Sequence, residues 1–355
     1  MINVFLEKLV AIFKGFIGLF ASCISVFSFA NTDVTVEQLP TYANQAAWQQ
    51  IDGFLPAKYQ LTQKNLPTEE WWSWQGHNIH LDTYRNPNAK VKVILFHGVG
   101  TNGRQMSMIL GEPLAAHGYE TIAIDMPGYG LTQVKQSEKV KYDDWVQAGN
   151  DLIEVERQKD NRPIMLYGLS AGGMLTYHVA AKNKHVKGIV GMTFLDTSNP
   201  QVRNEVSINK FIGRVGSPIN HLTAKTPLAS IRLPMRWVSK MHKLVNNDEA
   251  LDVFLKDRTS AGNAVSIQFL DSYLYYKNKM QPEDFDICPI LLTQPQQDHW
   301  SPLALSQPFL SRIRKVPVNI VMLKNAGHYP LEQPGLDQMV KAIDAFYQRN
   351  VQDKN

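Results

Sequence analysis

The segment Gly168-Leu169-Ser170-Ala171-Gly172-Gly173 has the form G-x-S-x-G and stands between two runs of different periodicity. Before it, Pro163-Ile164-Met165-Leu166-Tyr167 is short and mostly apolar, as in a strand buried in a parallel sheet. After it, residues 174–182 read as helix. So sharp a strand-to-helix junction forces the serine into a strained backbone conformation, and only small residues two positions to either side leave room for it. The hydroxyl then stands exposed at a helix N-terminus, with the Ala171 N–H beside it. The pattern alone arises by composition in unrelated chains; its place between strand and helix makes it informative.

The same alternation continues along the chain. Residues 91–96, 120–124, 186–194, 289–293 and 318–323 are short apolar strands, and residues 106–117, 142–157, 303–314 and 336–349 carry helical spacing. Residues 78–84 alternate as a half-exposed strand, closed by the turn Asn86-Pro87-Asn88. This order predicts an α/β fold: a mainly parallel central sheet with helices on both faces, and ligands at the carboxyl ends of the strands. At Thr197 the rhythm breaks. Up to residue 286 only helical patterns such as 247–257 and 264–277 stand out, which predicts an inserted helical cap over 197–286 between core segments 71–196 and 287–355. Residues 31–70 form an N-terminal extension in which 43–54 read as helix and no motif occurs.

Composition narrows the classes. With 355 residues, 44% hydrophobic and 19% charged, the chain can bury a large core. The net charge of +4 comes from residues such as Lys135, Lys139, Lys182 and Lys187 interspersed with apolar and acidic ones, which describes a solvated surface and no nucleic-acid partner. Residues 1–30 differ from the rest: Lys8 and Lys14 precede an uncharged, mostly apolar run ending in Ser28-Phe29-Ala30, the pattern of a secretory signal peptide. Export to the periplasm or medium is the expectation, with a membrane anchor over residues 9–30 as the alternative. Cys23 follows Ala21-Ser22 as in a lipid-attachment site, but the apolar run continues past it. Cleavage after Ala30 leaves Cys288 without a disulfide partner.

A serine hydroxyl is a poor nucleophile at neutral pH and needs an imidazole to take its proton and a carboxylate to orient that imidazole. Asp298, in Gln297-Asp298-His299-Trp300-Ser301-Pro302, and His328, in Asn325-Ala326-Gly327-His328-Tyr329-Pro330, each follow a strand, in the chain order Ser, Asp, His. Taken singly, a loop Asp before Ser-Pro is usually a turn or cap and a lone His usually structural. Asp196, which also ends a strand, is the rival acid.

Four landmarks in order make the chain resemble the α/β-hydrolase superfamily, in its broad group of cap-bearing, esterase- and lipase-like serine hydrolases. They are His97-Gly98-Val99-Gly100, Asp125-Met126-Pro127-Gly128-Tyr129-Gly130, the segment at Ser170, and Gly327-His328 followed by Glu332-Gln333-Pro334. The likeness covers residues 74–196 and 287–348. It implies a catalytic triad of Ser170, Asp298 and His328, an oxyanion hole from the Val99 and Ala171 amides, no cofactor, and a small-molecule carboxylic ester as substrate, including a lipid or membrane-derived one. Thioester, amide or C–C bond hydrolysis, acyl transfer, and ligand binding without catalysis remain open on the same scaffold.

Other features carry less. His77 and His80, three apart on a strand, point to opposite faces and make no metal pair; no H-E-x-x-H or Cys-His cluster occurs, so no metal is expected. His97 is expected to set the oxyanion loop. In the cap, Met235, Trp237, Met241, Phe254, Phe269 and Tyr273 either line an acyl pocket or pack cap helices together or onto the core.

Overall fold

The computed structural model describes residues 39–209 and 212–352. The expected signal peptide or anchor, with Cys23, lies outside the described residues.

Two strands open the structure as a hairpin, β1 (Thr68–Trp74) and β2 (His77–Tyr84), paired antiparallel from Thr68↔Thr83 to Trp74↔His77. The turn is Gln75-Gly76, both with positive φ (49° and 79°), a two-residue connection whose twist matches that of the strands. There follow β3 (Lys92–Phe96), β4 (Glu120–Ile124), β5 (Ile164–Gly168) and β6 (Gly188–Gly191), then β7 (Arg232–Pro234), β8 (Ala264–Ser266), β9 (Ile290–Pro295) and β10 (Val318–Leu323). Eight of them make one sheet in the order β1-β2-β4-β3-β5-β6-β9-β10, parallel from β4 to β10. Residues of β3, β4, β5 and β9 are buried throughout, as apolar runs without alternation require. β1 begins at Thr68, ahead of the core expected from residue 71. Its sequence hides it, because a half-buried edge strand written Thr-Glu-Glu-Trp-Trp-Ser-Trp has no apolar alternation to read.

Helices Tyr142–Lys159, Ala171–Asn183 and Gly335–Gln352 connect or flank the parallel strands. Residues 103–116 are one helical stretch interrupted by a π turn at Ser107–Gly111. Between β6 and β9 the chain leaves the main sheet. It forms helices Pro200–Val206, Ser217–Thr223, Asp248–Lys256 and Ile267–Leu274, joined by the two-stranded ribbon of β7 and β8. That ribbon was not visible in the sequence, since three-residue strands are too short for a period to register. Ala264–Ser266 instead continues into the helical spacing that follows it.

Residues 40–66 pack against the core through Tyr42, Trp48 and Ile51. Behind them lies a buried charge cluster. The Arg104 guanidinium is paired with Asp82 at 2.5 Å and stacks on the Tyr42 and Trp48 rings. His80 lies 3.0 Å from Glu69 and 2.9 Å from Asp125, whose carboxylate also accepts from Tyr42 Oη, Gly103 N and Leu131 N. The Asp125 turn closes only because Gly130 is glycine: a Cβ there, at φ +56°, would stand 2.0 Å from Asp125 Cγ.

Burial alone would lower the His80 pKa, but the carboxylates of Asp125, Glu69 and Asp82 outweigh it and hold it at about 10. Because the folded state binds this proton more tightly, its stabilisation is complete below the unfolded value of about 6.5 and is lost as pH rises toward that folded value. The denaturation midpoint should therefore fall between about pH 6.5 and 10, and the His80→Gln protein should lack this part of the slope. Urea melts across that range check it, and an unchanged slope in the variant would remove His80 from the account.

Candidate active site

Ser170 sits between β5 and helix Ala171–Asn183 with φ 55° and ψ −122°, a conformation L-residues rarely adopt. The glycines around it are required by contact. A Cβ on Gly168 would lie 1.9 Å from Gly172 O, and one on Gly172 would lie 2.5 Å from Phe96 O. Thr193 Oγ1 donates to the Ser170 carbonyl at 3.0 Å and holds the turn from the β6 side.

The loop after β3 runs beside the serine so closely that a Cβ on Gly98 would come 2.8 Å from Ser170 Cβ. His97 fixes that loop. Its Nε2 accepts from Met126 N at 2.9 Å, so the proton sits on Nδ1, which donates to Gly98 O at 2.7 Å. Burial pushes its pKa down, consistent with a neutral ring in that tautomer. Among the described residues neither the Val99 N–H nor the Ala171 N–H has a protein acceptor, so both remain available to a ligand.

Asp298 and His328 are brought together from the loops after β9 and β10. His328 Nδ1 donates to Asp298 Oδ2 at 2.9 Å. Burial would raise the Asp298 pKa, but the His328 ring and the N–H and hydroxyl of Ser301 outweigh it and hold the carboxyl at about 2. It is thus ionised throughout the neutral range. The second ring nitrogen, Nε2, is buried and has no hydrogen-bond partner. No bond joins it to Ser170 Oγ; such contacts are often loose in unliganded enzymes and tighten with substrate. Glu332 shapes the loop by accepting from Gly327 N and Leu331 N at 3.1 and 3.0 Å. Asp196 is engaged elsewhere, with Ser198 and Asn278, and makes no bond to His328.

Above Ser170 lies a cavity of about 280 Å³ lined by Val99, Ser170 and Trp300 from the core and by residues between β6 and β9. Met235, Trp237, Phe269 and Tyr273 are on its wall. Met241 and Phe254 are not: Met241 is buried against the Gly98-Val99-Gly100 loop, and Phe254 packs edge-on to Tyr329 at 5.1 Å. The described lining has serine, threonine, asparagine and tyrosine as its polar members and no Lys, Arg, Asp or Glu. Among the described residues no group of three His, Cys, Asp or Glu is placed to hold a metal ion. Cys288 is buried and free, its thiol pKa raised by burial, so it is chemically quiet.

Residues 87–335 match the family model described as serine aminopeptidase, S33. The chain belongs to this family of α/β hydrolases. Over 149 residues the chain is 28% identical to the pimeloyl-[acyl-carrier protein] methyl ester esterase of Legionella pneumophila (strain Corby), a match covering 40% of this chain and 55% of that protein. It is 26% identical over 113 residues to the mouse protein phosphatase methylesterase 1, covering 32% and 29% respectively. The chain thus spans well under two thirds of these curated relatives. In three dimensions it resembles a soluble variant of the monoglyceride lipase of Saccharomyces cerevisiae, with a TM-score of 0.68, 17% identity and coverage of 83% of this chain and 98% of that one.

Two side chains of the candidate site are not singled out by the sequence. Ser301 Oγ donates to Asp298 Oδ2 at 2.8 Å and lies 3.0 Å from His328 Nδ1, so it braces the pair from one side. Trp300 packs on the His328 ring, with centroids 4.7 Å apart, and its indole N–H reaches Val206 O at 3.2 Å. Both lie in the segment quoted around Asp298, where a Trp-Ser-Pro reads simply as a turn.

Proposed function

We propose that this protein hydrolyses uncharged carboxylic esters through an acyl-enzyme on Ser170. The observation that carries the reading is the cavity. Ser170 lines a pocket that has mostly apolar walls, hydroxyl and amide groups, and no charged side chain among the described lining. An aminopeptidase must hold a free ammonium group, which calls for a carboxylate or a comparable acceptor set within the pocket. An ester flanked by hydrocarbon needs neither. Names of relatives that refer to methyl esters and to a monoglyceride support the same direction.

In this mechanism Ser170 Oγ attacks the acyl carbon while His328 Nε2 takes the hydroxyl proton. The Val99 and Ala171 N–H groups receive the developing oxyanion, each such donor being worth about 3 kcal/mol. Asp298 keeps the His328 proton on Nδ1 and stabilises the imidazolium once it forms. Collapse of the tetrahedral intermediate expels the alcohol with the proton from His328. Water then repeats the cycle against the acyl-enzyme and returns Ser170. No cofactor enters these steps.

The cavity is at the small end of the roughly 300–1,000 Å³ of ligand pockets, which favours short to medium acyl chains. Each methylene buried there should gain about 0.8 kcal/mol, a several-fold rise in kcat/KM per CH₂ until the space is filled. Trp237 is 61% exposed and stands at the rim, so Trp237→Ala should blunt the gain for the longest chains and spare the shortest. A series of neutral esters of increasing chain length, run beside the matching amides and an aminoacyl anilide, tests both points. Faster cleavage of the aminoacyl anilide than of any ester would replace this reading with a peptidase.

A further inference from the structure

Charge is unevenly distributed in the segment between β6 and β9. Residues 206–247 contain no Asp or Glu, while Arg214, Lys225, Arg232, Arg236, Lys240 and Lys243 fall within them. With Lys210, the segment carries seven of the chain's Lys and Arg against a net charge of +4 for the whole, so the remainder is net negative. Five of those six named side chains are exposed and Lys240 is half-buried; none forms an ion pair with a described residue.

The same segment holds six of the nine exposed large apolar side chains among the described residues: Val215, Ile219, Leu222, Leu228, Ile231 and Trp237. Val215, Ile219 and Leu222 follow an i, i+4, i+7 spacing, one stripe of a continuous helical stretch. Ile219 and Trp237, 57% and 61% exposed, also line the cavity above Ser170, so the exposed apolar surface reaches the cavity at these two residues. The ribbon separates two environments. Leu233 and Met235 line the cavity, whereas Arg232 and Arg236 line a separate groove with Lys256 and Arg258, and Arg232 is held there by Ser137, Asn263 and Ala264; the cations left to meet a lipid surface are Arg214, Lys225 and Lys243.

Exposed apolar surface of this kind marks an interaction site. A protein interface depletes lysine, and a nucleic-acid interface has no use for exposed aliphatic side chains in such number. An anionic bilayer satisfies both features at once, because aliphatic and tryptophan side chains enter the boundary between headgroups and acyl chains while cations lie against the charged headgroups.

We propose that residues 212–243 seat the protein on an anionic lipid surface with the cavity mouth toward the bilayer, so that a lipid ester passes from the membrane between Ile219 and Trp237 to Ser170. Ester hydrolysis itself belongs to the function proposed above. Docking is read by binding and not by turnover, so the two can fail separately.

The test uses the full chain and sedimentation with vesicles of phosphatidylcholine alone or with 30% phosphatidylserine. The wild-type chain should bind the anionic vesicles at least tenfold more tightly than the neutral ones and lose that advantage in 0.5 M salt. Arg214→Glu/Lys225→Glu/Lys243→Glu should remove the preference, and Leu222→Ser/Leu228→Ser should weaken binding severalfold. Both variants should keep wild-type melting temperatures and wild-type rates on a water-soluble short ester. A local readout excludes the amino-terminal residues as the cause: in a Cys23→Ser background, Leu222→Cys labelled with an environment-sensitive fluorophore should shift to the blue on anionic vesicles only. Equal wild-type binding to both vesicles, wild-type binding by the charge-reversed variant, or an unshifted fluorophore overturns the assignment. So does capture of a nucleic acid by this face in place of vesicles.

Discussion

Replacing Ser170 by alanine is expected to lower kcat by about four to six orders of magnitude and to abolish covalent labelling by a fluorophosphonate. The size follows from the proposed mechanism: without the hydroxyl no acyl-enzyme could form, and only the proposed oxyanion donors and the cavity would remain to help water. The fold should not suffer. Ser170 is held by its backbone, through the helix N-terminus and Thr193, and the local geometry depends on Gly168 and Gly172 rather than on the serine side chain. Intact mass after phosphonate treatment should show one adduct on the wild type and none on Ser170→Ala. His328→Ala should cost about as much, and the double variant little more, because nucleophile and base act as one unit. A labelled Ser170→Ala protein would shift attention to the other serines on the cavity wall, Ser207, Ser217 and Ser239.

Asp298→Asn is expected to cost about four orders of magnitude in kcat, whereas Asp196→Asn should retain most of the wild-type activity. An asparagine amide at position 298 can offer an N–H to His328 Nδ1 and so favours the wrong tautomer, with the proton on Nε2, which could then take none from Ser170. It also withdraws the charge that would stabilise the imidazolium. Asp196 has no comparable task. It caps its own turn through Ser198 and reaches Asn278, and its loss should show as a modest fall in melting temperature. Measuring kcat on one good ester for both variants decides the matter, and a large loss confined to Asp196→Asn would reverse the assignment.

Much of this architecture was legible because parallel strands buried on both faces leave continuous apolar runs. Glu120–Ile124 was readable to the residue, and Lys92–Phe96 nearly so. Landmarks that depend on contact between backbones were legible as well. No residue but glycine survives where Gly168 meets Gly172 or where Gly130 closes over Asp125, so those positions carry their structural reason in their identity. Edge and cap elements were less readable. β1 is a row of Glu and Trp whose partner is chosen by the Gln75-Gly76 turn, and the β7–β8 ribbon is three residues long on each side. The uneven charge was legible too, since residues 206–247 carry no Asp or Glu, and a net value of +4 for the whole chain conceals it.

What the sequence by itself determined about this protein is the α/β alternation, the strained junction at Ser170, and a chain order of serine, carboxylate and imidazole. Each is a local property, set by periodicity, by glycine or by position after a strand. Only the tertiary structure decided which carboxylate meets His328, since Asp196 and Asp298 both follow strands and only the packing of β9 beside β10 brings Asp298 to 2.9 Å. It alone also showed that Ser301 braces the pair and that Trp300 links His328 to Val206. The cavity wall likewise takes Met235 and Phe269 while Met241 and Phe254 serve the core. Those outcomes depend on distances between residues far apart in the chain, and no local pattern encodes them.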